Sequence, residues 1–314
     1  MEKEIKDTNL NITPEMFKRI PRDDIEAEKI ARPIITFWED VWRRLKMNRA
    51  AMLSIGIIIL LVFMVIAGPH FNKFSFKEQN AQALNISPNG TYWFGTDTAG
   101  RDIFTRVWVG GRVSIVIGLV CAFIAMIVGV AYGSIAGLVG GKVDNIMMRI
   151  VEIISCLPYL LIVILVCLWL NKTNLGSILL ALSLTSWTGT SRMVRGQVLS
   201  VKNEEYVLAA RTLGVPTWKV IIRHIIPNVL AIVIVGLTFD IPGFIFSEAF
   251  LSYMGIGLQP PDVSWGIMAS EAQTQMMFYP YQLFFPTLMI ALTMLSFTLL
   301  GDGLRDALDP KLRK

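Results

Sequence analysis

Residues 113–141 read VSIVIGLVCAFIAMIVGVAYGSIAGLVGG, and none of these 29 side chains carries a charge. An α-helix rises about 1.5 Å per residue, so a helix of this length exceeds the roughly 30 Å of hydrocarbon in a bilayer. Long uncharged runs of this kind are typical of transmembrane helices. The stretch therefore predicts a membrane protein and makes further spans expected in the other apolar runs.

The composition of the whole chain agrees with this interpretation. Hydrophobic residues make up 54% of the 314 residues and charged residues 17%, whereas a soluble domain carries about 25% charged residues. The formal net charge of +5 is common in nucleic-acid-binding proteins, but basic loops also set the orientation of membrane proteins. We therefore expect the lipid bilayer, and no nucleic acid, as a partner.

Five further apolar runs bring the expected number of transmembrane helices to six, in an all-α polytopic fold. Their bounds are 50–68, 153–170, 175–191, 229–253 and 284–300. Each is long enough, or nearly so, to cross the hydrocarbon core as a helix.

Basic residues are distributed unevenly between the connections. With the amino terminus inside, the cytoplasmic segments are those before residue 50, at 142–149, at 192–224 and after 301. They hold 11, two, six and four Lys and Arg residues, and the outer segments share the remaining six of the 29. The positive-inside rule therefore predicts that both termini are cytoplasmic.

Glycines recur at every fourth position in the longest run, at Gly129, Gly133, Gly137 and Gly141. This spacing places them on one stripe of a helix, and small residues on a stripe allow a second helix to come close. The last two can instead belong to a turn, because residues 140–142 read GGK, as at a helix end. We expect helix packing at Gly129, Gly133 and Gly137.

Two acids, Asp240 and Glu248, fall within the expected fifth span. Acids in a span are costly and face a cavity or a partner, so one interpretation is that both line a translocation path. The alternative for Glu248 is a position near the outer surface, paired with an arginine of the outer loop. Arg149 and Glu152, three residues apart, predict an ion pair on a helix surface.

Motifs of catalysis and metal binding are missing from the sequence. The P-loop pattern G-x-x-x-x-G-K-[ST] fails twice around Gly141-Lys142, since residue 136 is alanine and residue 143 is valine. We therefore expect no ATP hydrolysis by this chain and no enzymatic activity. Cys121, Cys156 and Cys167 lie in apolar runs without metal-type spacing, so we expect packing roles and no metal site.

The connection 192–228 is the longest basic segment between spans. Residues 204–213 predict a short helix, with Gly214 as its C′ residue and Pro216 as the first residue of a second helix that extends to 226. Such a segment can form a compact cytoplasmic knob, or an amphipathic loop that lies on the membrane. These residues alone favour neither arrangement.

Several motifs resemble those of ABC importer permeases, in the branch that transports peptides and nickel. The motifs are EYVLAARTLG at 205–214 with HIIPN at 224–228, FGTDTAGRDIFTR at 94–106 with GRVSI at 111–115, EAFLSYMGIGLQPP at 248–261 with SWG at 264–266, and GDGLRDALDP at 301–310. Together they resemble the C-type permease subunit of oligopeptide and dipeptide importers, over roughly residues 35–314. Leu208 departs from the family, which often has an acidic or polar residue there.

The resemblance implies a type I ABC importer permease fold with a coupling loop that docks on an ATPase. The residues that it assigns to coupling are Glu205, Ala209, Ala210, Arg211, Gly214 and Thr217. The implied segments are a cytoplasmic tail and anchor (1–49), a first transmembrane helix (50–68), an extracytoplasmic loop (69–112), a permease core (113–301) that includes the coupling loop 192–228, and a cytoplasmic tail (302–314).

The resemblance also implies partners in the bacterial inner membrane. These are a homologous second permease subunit, two ATPase subunits that bind ATP and magnesium, an extracytoplasmic peptide-binding protein and a peptide substrate. No cofactor is expected on the chain itself. The motifs favour oligopeptide import, and the alternatives are a dipeptide or nickel importer of the same family or an ATP-independent secondary transporter.

Overall fold

The computed structural model describes residues 36–308, apart from Lys172 and Pro260. Most of the predicted amino-terminal tail and the last six residues of the carboxyl-terminal tail lie outside this part. The helices are α1 (Phe37–Met47), α2 (Arg49–Ala67), α3 (Ile103–Val139), α4 (Gly141–Cys156), α5 (Tyr159–Leu170), α6 (Leu175–Val201), α7 (Glu205–Thr212), α8 (Thr217–Val220), α9 (Ile226–Tyr253), α10 (Trp265–Gln273) and α11 (Pro280–Leu308).

The first transmembrane helix lies where the sequence predicts it. Asn48 is the N-cap of α2, and its side-chain oxygen accepts a hydrogen bond from Ala51 N (3.1 Å), which satisfies one of the free N–H groups of the first turn. At the other end the chain tightens into a 3₁₀ turn, Gly68–His70. Pro69 lies in this turn and cannot extend the helix, because proline has no N–H group.

α3 begins ahead of the uncharged run that predicted it. Asp102 is its N-cap and accepts a hydrogen bond from Thr105 N (2.8 Å). The two arginines in its first turns are accommodated by the fold: Arg106 is buried in ion pairs, and Arg112 donates to two backbone carbonyls at the end of α2. The extracytoplasmic loop predicted over 69–112 therefore contains the first ten residues of this helix.

Residues 153–170, the expected third span, do not form one helix. α4 ends at Cys156, α5 begins at Tyr159, and the directions of the two helices differ by 84°. The physical reason is Pro158. Leu157 before it has an extended backbone (φ −77°, ψ 132°), as residues before proline prefer. The expected third span is therefore broken at Pro158 into two helices, and whether the pair forms one span stays a prediction.

The fifth span also starts earlier than predicted. α8 runs through a π-helical turn, Ile221–Ile225, directly into α9. Pro227 lies just after this turn and supplies no N–H, so the regular hydrogen-bond ladder is interrupted there. The second helix of the basic connection is thus the beginning of the fifth span, and not a separate element.

Four single helical stretches are long and apolar enough to cross a membrane, namely Arg49–His70, Ile103–Val139, Thr217–Tyr253 and Pro280–Leu308. The bent pair α4 and α5 adds a fifth if it counts as one span. α6 has 27 residues, enough to reach about 40 Å, but its Ser, Thr and Arg content makes it less apolar. The all-α, multi-pass fold is confirmed for the described residues, and the number six stays a prediction.

α3 lies against both α6 and α9 along its length. Near its first turns, Ile103 packs with Trp265 of α10 in one buried cluster. Cys121 and Cys167 are buried in a second cluster, as expected. Cys156 is instead exposed, because α4 buries few of its side chains.

Candidate functional site

The turn that follows α7 is determined by a single glycine. Gly214 N donates to Arg211 O (3.0 Å) and Val215 N donates to Ala210 O (3.1 Å), which together form a Schellman motif. The motif needs a left-handed residue, and Gly214 has φ +75°, a conformation that glycine adopts without strain. Gly214 is therefore the C′ residue, as predicted, while Pro216 is the N-cap of α8 and not its first residue.

The two sides of α7 differ in what they contact. Val207 and Ala210 are buried and join a cluster with Val198 of α6, Val220 of α8 and Val229 of α9. The opposite side is exposed. Of the predicted coupling residues, Ala210 packs inside the chain, and those on the exposed surface are Glu205, Ala209, Arg211, Gly214 and Thr217.

Sequence reasoning missed three large apolar side chains on this connection. Leu213 is 83% exposed, Trp218 59% and Leu208 46%. Exposed leucine and tryptophan on a short turn between two buried helix faces are typical of a contact surface. The signal was present in the sequence, since large apolar residues flank Gly214 in a connection that also carries charged residues.

Tyr206 ties α7 to the beginning of α9. Its phenolic oxygen accepts a hydrogen bond from the Asn228 side-chain amide (2.9 Å), which also donates to His224 O (2.7 Å). Burial raises the pKa of the Tyr206 phenol, and the charge of Glu204 raises this pKa further. The phenol therefore stays neutral at physiological pH, and the tie between the two helices is present throughout that range.

Three glycines of α3 lie against α6. A Cβ atom on Gly129 would lie 2.6 Å from Thr190 Cβ, and one on Gly137 would lie 2.8 Å from Val198 Cβ. A Cβ atom on Gly133 would collide with the Ser191 carbonyl oxygen. The backbones of α3 and α6 are thus too close for any side chain on this stripe. Gly141, by contrast, has no such neighbour and begins α4.

Glu248 is fully buried where α3, α9 and the start of α10 meet. Its carboxyl oxygens accept hydrogen bonds from the hydroxyls of Ser264 (2.6 Å), Ser252 (2.8 Å) and Ser114 (3.2 Å). Ser114 also accepts a bond from Trp265 N (3.2 Å), so the group fixes the amino end of α10. The alternative of an arginine partner is wrong, because three serines surround this carboxyl group. The prediction that Glu248 lines a translocation path stays a prediction.

Asp240 has a different environment. It is partly exposed on α9, and no hydrogen-bond or ion-pair partner for its carboxyl group occurs within residues 36–308, leaving aside Lys172 and Pro260, which are not described. The prediction that Asp240 lines a translocation path stays a prediction.

Two family models match the sequence. The model that covers residues 129–314 is described as "binding-protein-dependent transport system inner membrane component", and the one that covers residues 36–88 as "N-terminal TM domain of oligopeptide transport permease C". The chain belongs to this family of transport permeases. It is a permease subunit of an ABC importer and not an enzyme, because ATPase activity in such systems belongs to separate subunits.

Relatives match the permease along most of their length. The dipeptide transport system permease protein of Bacillus subtilis is 46% identical over 290 residues, 92% of this chain and 90% of the relative. The oligopeptide transport system permease protein of the same organism is 45% identical over 304 residues, 97% and 99% of the two chains. The Escherichia coli oligopeptide permease protein is 40% identical over 287 residues, 91% and 95% of the two chains.

An ion pair that sequence reasoning missed joins α4 to α6 in the permease. Arg195 donates from Nε and Nη2 to the two oxygens of Asp144, at 2.5 and 2.6 Å. Asp144 is buried, and 51 residues separate the two partners in sequence. The pair Arg149–Glu152 (2.7 Å) is confirmed on the exposed side of α4.

Replacing Asp144 with alanine is expected to destabilise the permease by about 1–3 kcal/mol, because Arg195 loses both acceptors at a largely buried site. The measurement is thermal unfolding of the purified protein in detergent. The control is Glu152→Ala, which removes an exposed pair of the same kind and is expected to cost less than about 1 kcal/mol. Equal losses in the two variants would contradict a structural role for the Asp144–Arg195 pair.

A buried ion network joins the segment before α3 to α10. Asp97 accepts from Arg101 Nε (2.6 Å) and from Arg106. Glu271 accepts from Nη2 of both arginines, at 2.9 Å in each case. These residues explain why the motif at 94–106 combines an acid with two arginines, a pattern that the sequence alone did not assign to any contact.

Proposed function

We propose that this permease is one of two homologous membrane subunits of an importer that takes up oligopeptides. Each subunit contributes half of the translocation path, and the partner makes the pair a heterodimer. Support comes from the relatives, whose names include oligopeptide transport permeases that match nearly the whole chain. The matched amino-terminal segment carries the same substrate class in its description.

Dipeptide import is the second candidate. The observation that favours it is the dipeptide transport permease of Bacillus subtilis, whose identity to this chain is as high as that of the oligopeptide relative. Uptake of a labelled dipeptide and of a labelled pentapeptide, each in competition with the other, distinguishes the two candidates.

The coupling role rests on the contrast between the two sides of α7. On the buried side, Val207 and Ala210 belong to one cluster with Val198 of α6 and Val229 of α9, so a force on α7 reaches both transmembrane helices. The exposed side offers Ala209 and, at the turn, Leu213. We infer that this side docks on an ATPase subunit that binds ATP and magnesium, and that two such subunits drive the transport cycle.

The orientation of the chain follows from its basic residues. Most lie in the segments before α2, between α6 and α9, and after α11, which are cytoplasmic under the positive-inside rule. The loop before α3 and the residues around α10 then face outward. There an extracytoplasmic peptide-binding protein delivers the peptide, in agreement with the words "binding-protein-dependent" in the family description.

Replacing Ala209 with tryptophan is expected to prevent docking while leaving the fold intact, because Ala209 is exposed. A bulky ring at the centre of a close contact typically costs 2 kcal/mol or more in affinity, which is roughly a thirtyfold loss. The measurement combines co-purification of the ATPase subunits in mild detergent with peptide import by membrane vesicles. Both are expected to fall by at least about tenfold.

The control for ATPase binding is Ala81→Trp, which places the same ring on an exposed alanine before α3. It is expected to co-purify with the ATPase subunits like the unmodified protein. Normal binding of the ATPase subunits and normal peptide import by the Ala209→Trp variant would contradict the coupling proposal. Import that continues after removal of the ATPases would favour the secondary transporter instead.

A further inference from the structure

A small pocket lies beside the buried ion network, on the face that the proposed topology places outside. Its volume is about 270 Å³. Three separate segments form the walls. They are the loop after α2, the residues on either side of the start of α3, and the residues before α10. The lining residues are Phe76, Lys77, Gln79, Arg101, Arg106, Pro261 and Val263.

All ionisable side chains on these walls are basic. Arg106 is 3% exposed, and its Nε has no hydrogen-bond acceptor. Lys77 is exposed, with its ammonium 5.4 Å from the centre of the Phe76 ring, and it has no acidic partner in the part of the chain that the structure describes. Asp97 accepts from Nε of Arg101 and from a terminal nitrogen of Arg106, and Glu271 accepts from a terminal nitrogen of each arginine. Neither acid lines this pocket. The pocket therefore suits a negatively charged group.

The size of the pocket limits what this group can be. Pockets for small-molecule ligands have volumes of about 300–1,000 Å³, so a peptide of several residues does not fit. One acidic side chain does fit. Phe76, Pro261 and Val263 supply apolar contacts for its methylene groups, and the cations supply contacts for its carboxylate.

We propose that this pocket receives the carboxylate of an Asp or Glu side chain on the extracytoplasmic binding protein when that protein docks. The inference rests on the proposed function, which sets the sidedness and supplies the partner. Lys77 lies at the exposed rim and attracts the acid, while the guanidinium groups of Arg101 and Arg106 form a fixed wall on which Arg106 Nε is free to donate a hydrogen bond. The carboxylates of Asp97 and Glu271 hold those two guanidinium groups in position before docking.

The test uses the assembled importer, with both permease subunits and both ATPases, in lipid nanodiscs. The affinity of the fluorescently labelled binding protein is measured for the unmodified complex, for Lys77→Glu and for the control Lys73→Glu. Lys73 is an exposed lysine of the same loop that does not line the pocket. We expect Lys77→Glu to weaken binding by about fivefold or more at low salt. The difference should shrink as salt screens the charges, and Lys73→Glu should bind like the unmodified complex.

Equal weakening by both variants would overturn the inference, because it would report general surface charge. Unchanged binding by Lys77→Glu, with the unmodified complex binding normally, would overturn it while leaving the proposed function intact. Failure of the unmodified complex to bind or import would overturn both. In a further experiment, the import of a peptide with a free carboxyl end and of the same peptide with an amidated end is measured for Lys77→Glu and for the unmodified complex. A defect confined to the free-acid peptide would overturn the inference in favour of the peptide's own carboxylate.

Discussion

Replacing Glu248 with alanine is expected to destabilise the permease by roughly 3–5 kcal/mol. The change removes the acceptor of the Ser114, Ser252 and Ser264 hydroxyls and leaves a cavity at a fully buried position. Because Ser264 is also the N-cap of α10, the start of that helix should separate from α3 and α9. The measurement is the unfolding temperature in detergent, together with proteolysis of the segment around α10.

The matched control is Glu248→Gln. Glutamine has the same shape and keeps an oxygen that can accept from Ser252 and Ser264, while its amide can donate to the oxygen of Ser114. We expect a loss within about 1 kcal/mol. An alanine variant as stable as the unmodified protein would refute the account. A glutamine variant as unstable as the alanine variant would show that charge, and not hydrogen bonding, holds α10.

Features that depend on neighbouring residues could be predicted from the sequence. Gly214 is the clearest case: a helix-forming segment that ends in Leu-Gly-x-Pro has few ways to turn, and the Schellman motif supplies its hydrogen bonds locally. The first span is another, since its Asn48 cap and its Gly68-Pro69 end lie within two residues of the apolar run 50–68 that sets its length. In both cases the physical cause lies within a few residues of the effect.

Contacts between distant residues could not be predicted in the same way. Ser114 and Glu248 are 134 residues apart, and Arg101 and Glu271 are 170 residues apart. The sequence allows many pairings between arginines and acidic residues, and only the packing of the helices determines which of them form ion pairs. This is why an outer-loop arginine was one of two interpretations for Glu248, where the structure provides three serines.

Proline effects fall between these two cases. Pro158 lies within an expected span, but a proline can either kink a helix or break it. Which outcome occurs depends on what surrounds α4 and α5. Here most of α4 is exposed, and the break is large.

Replacing Gly133 with alanine is the second change with a large expected effect. The new methyl group would meet the Ser191 carbonyl oxygen and would lie 3.0 Å from Arg195 N and from Val194 Cβ. Backbone atoms cannot rotate away as a side chain can, so α3 and α6 must separate. Overpacking of this kind costs about 1–3 kcal/mol, and it should also weaken the Asp144–Arg195 pair beside it.

Gly56→Ala makes the same chemical change in another membrane helix, at a glycine with no atom within 4 Å of the added methyl group. It is expected to leave stability unchanged or slightly higher, since alanine favours the helix. The comparison is made by thermal unfolding in detergent and by peptide import in vesicles. A lower unfolding temperature for Gly133→Ala alone would assign the loss to the contact with α6. If the two variants behave alike, the close approach at Gly133 contributes nothing to the fold.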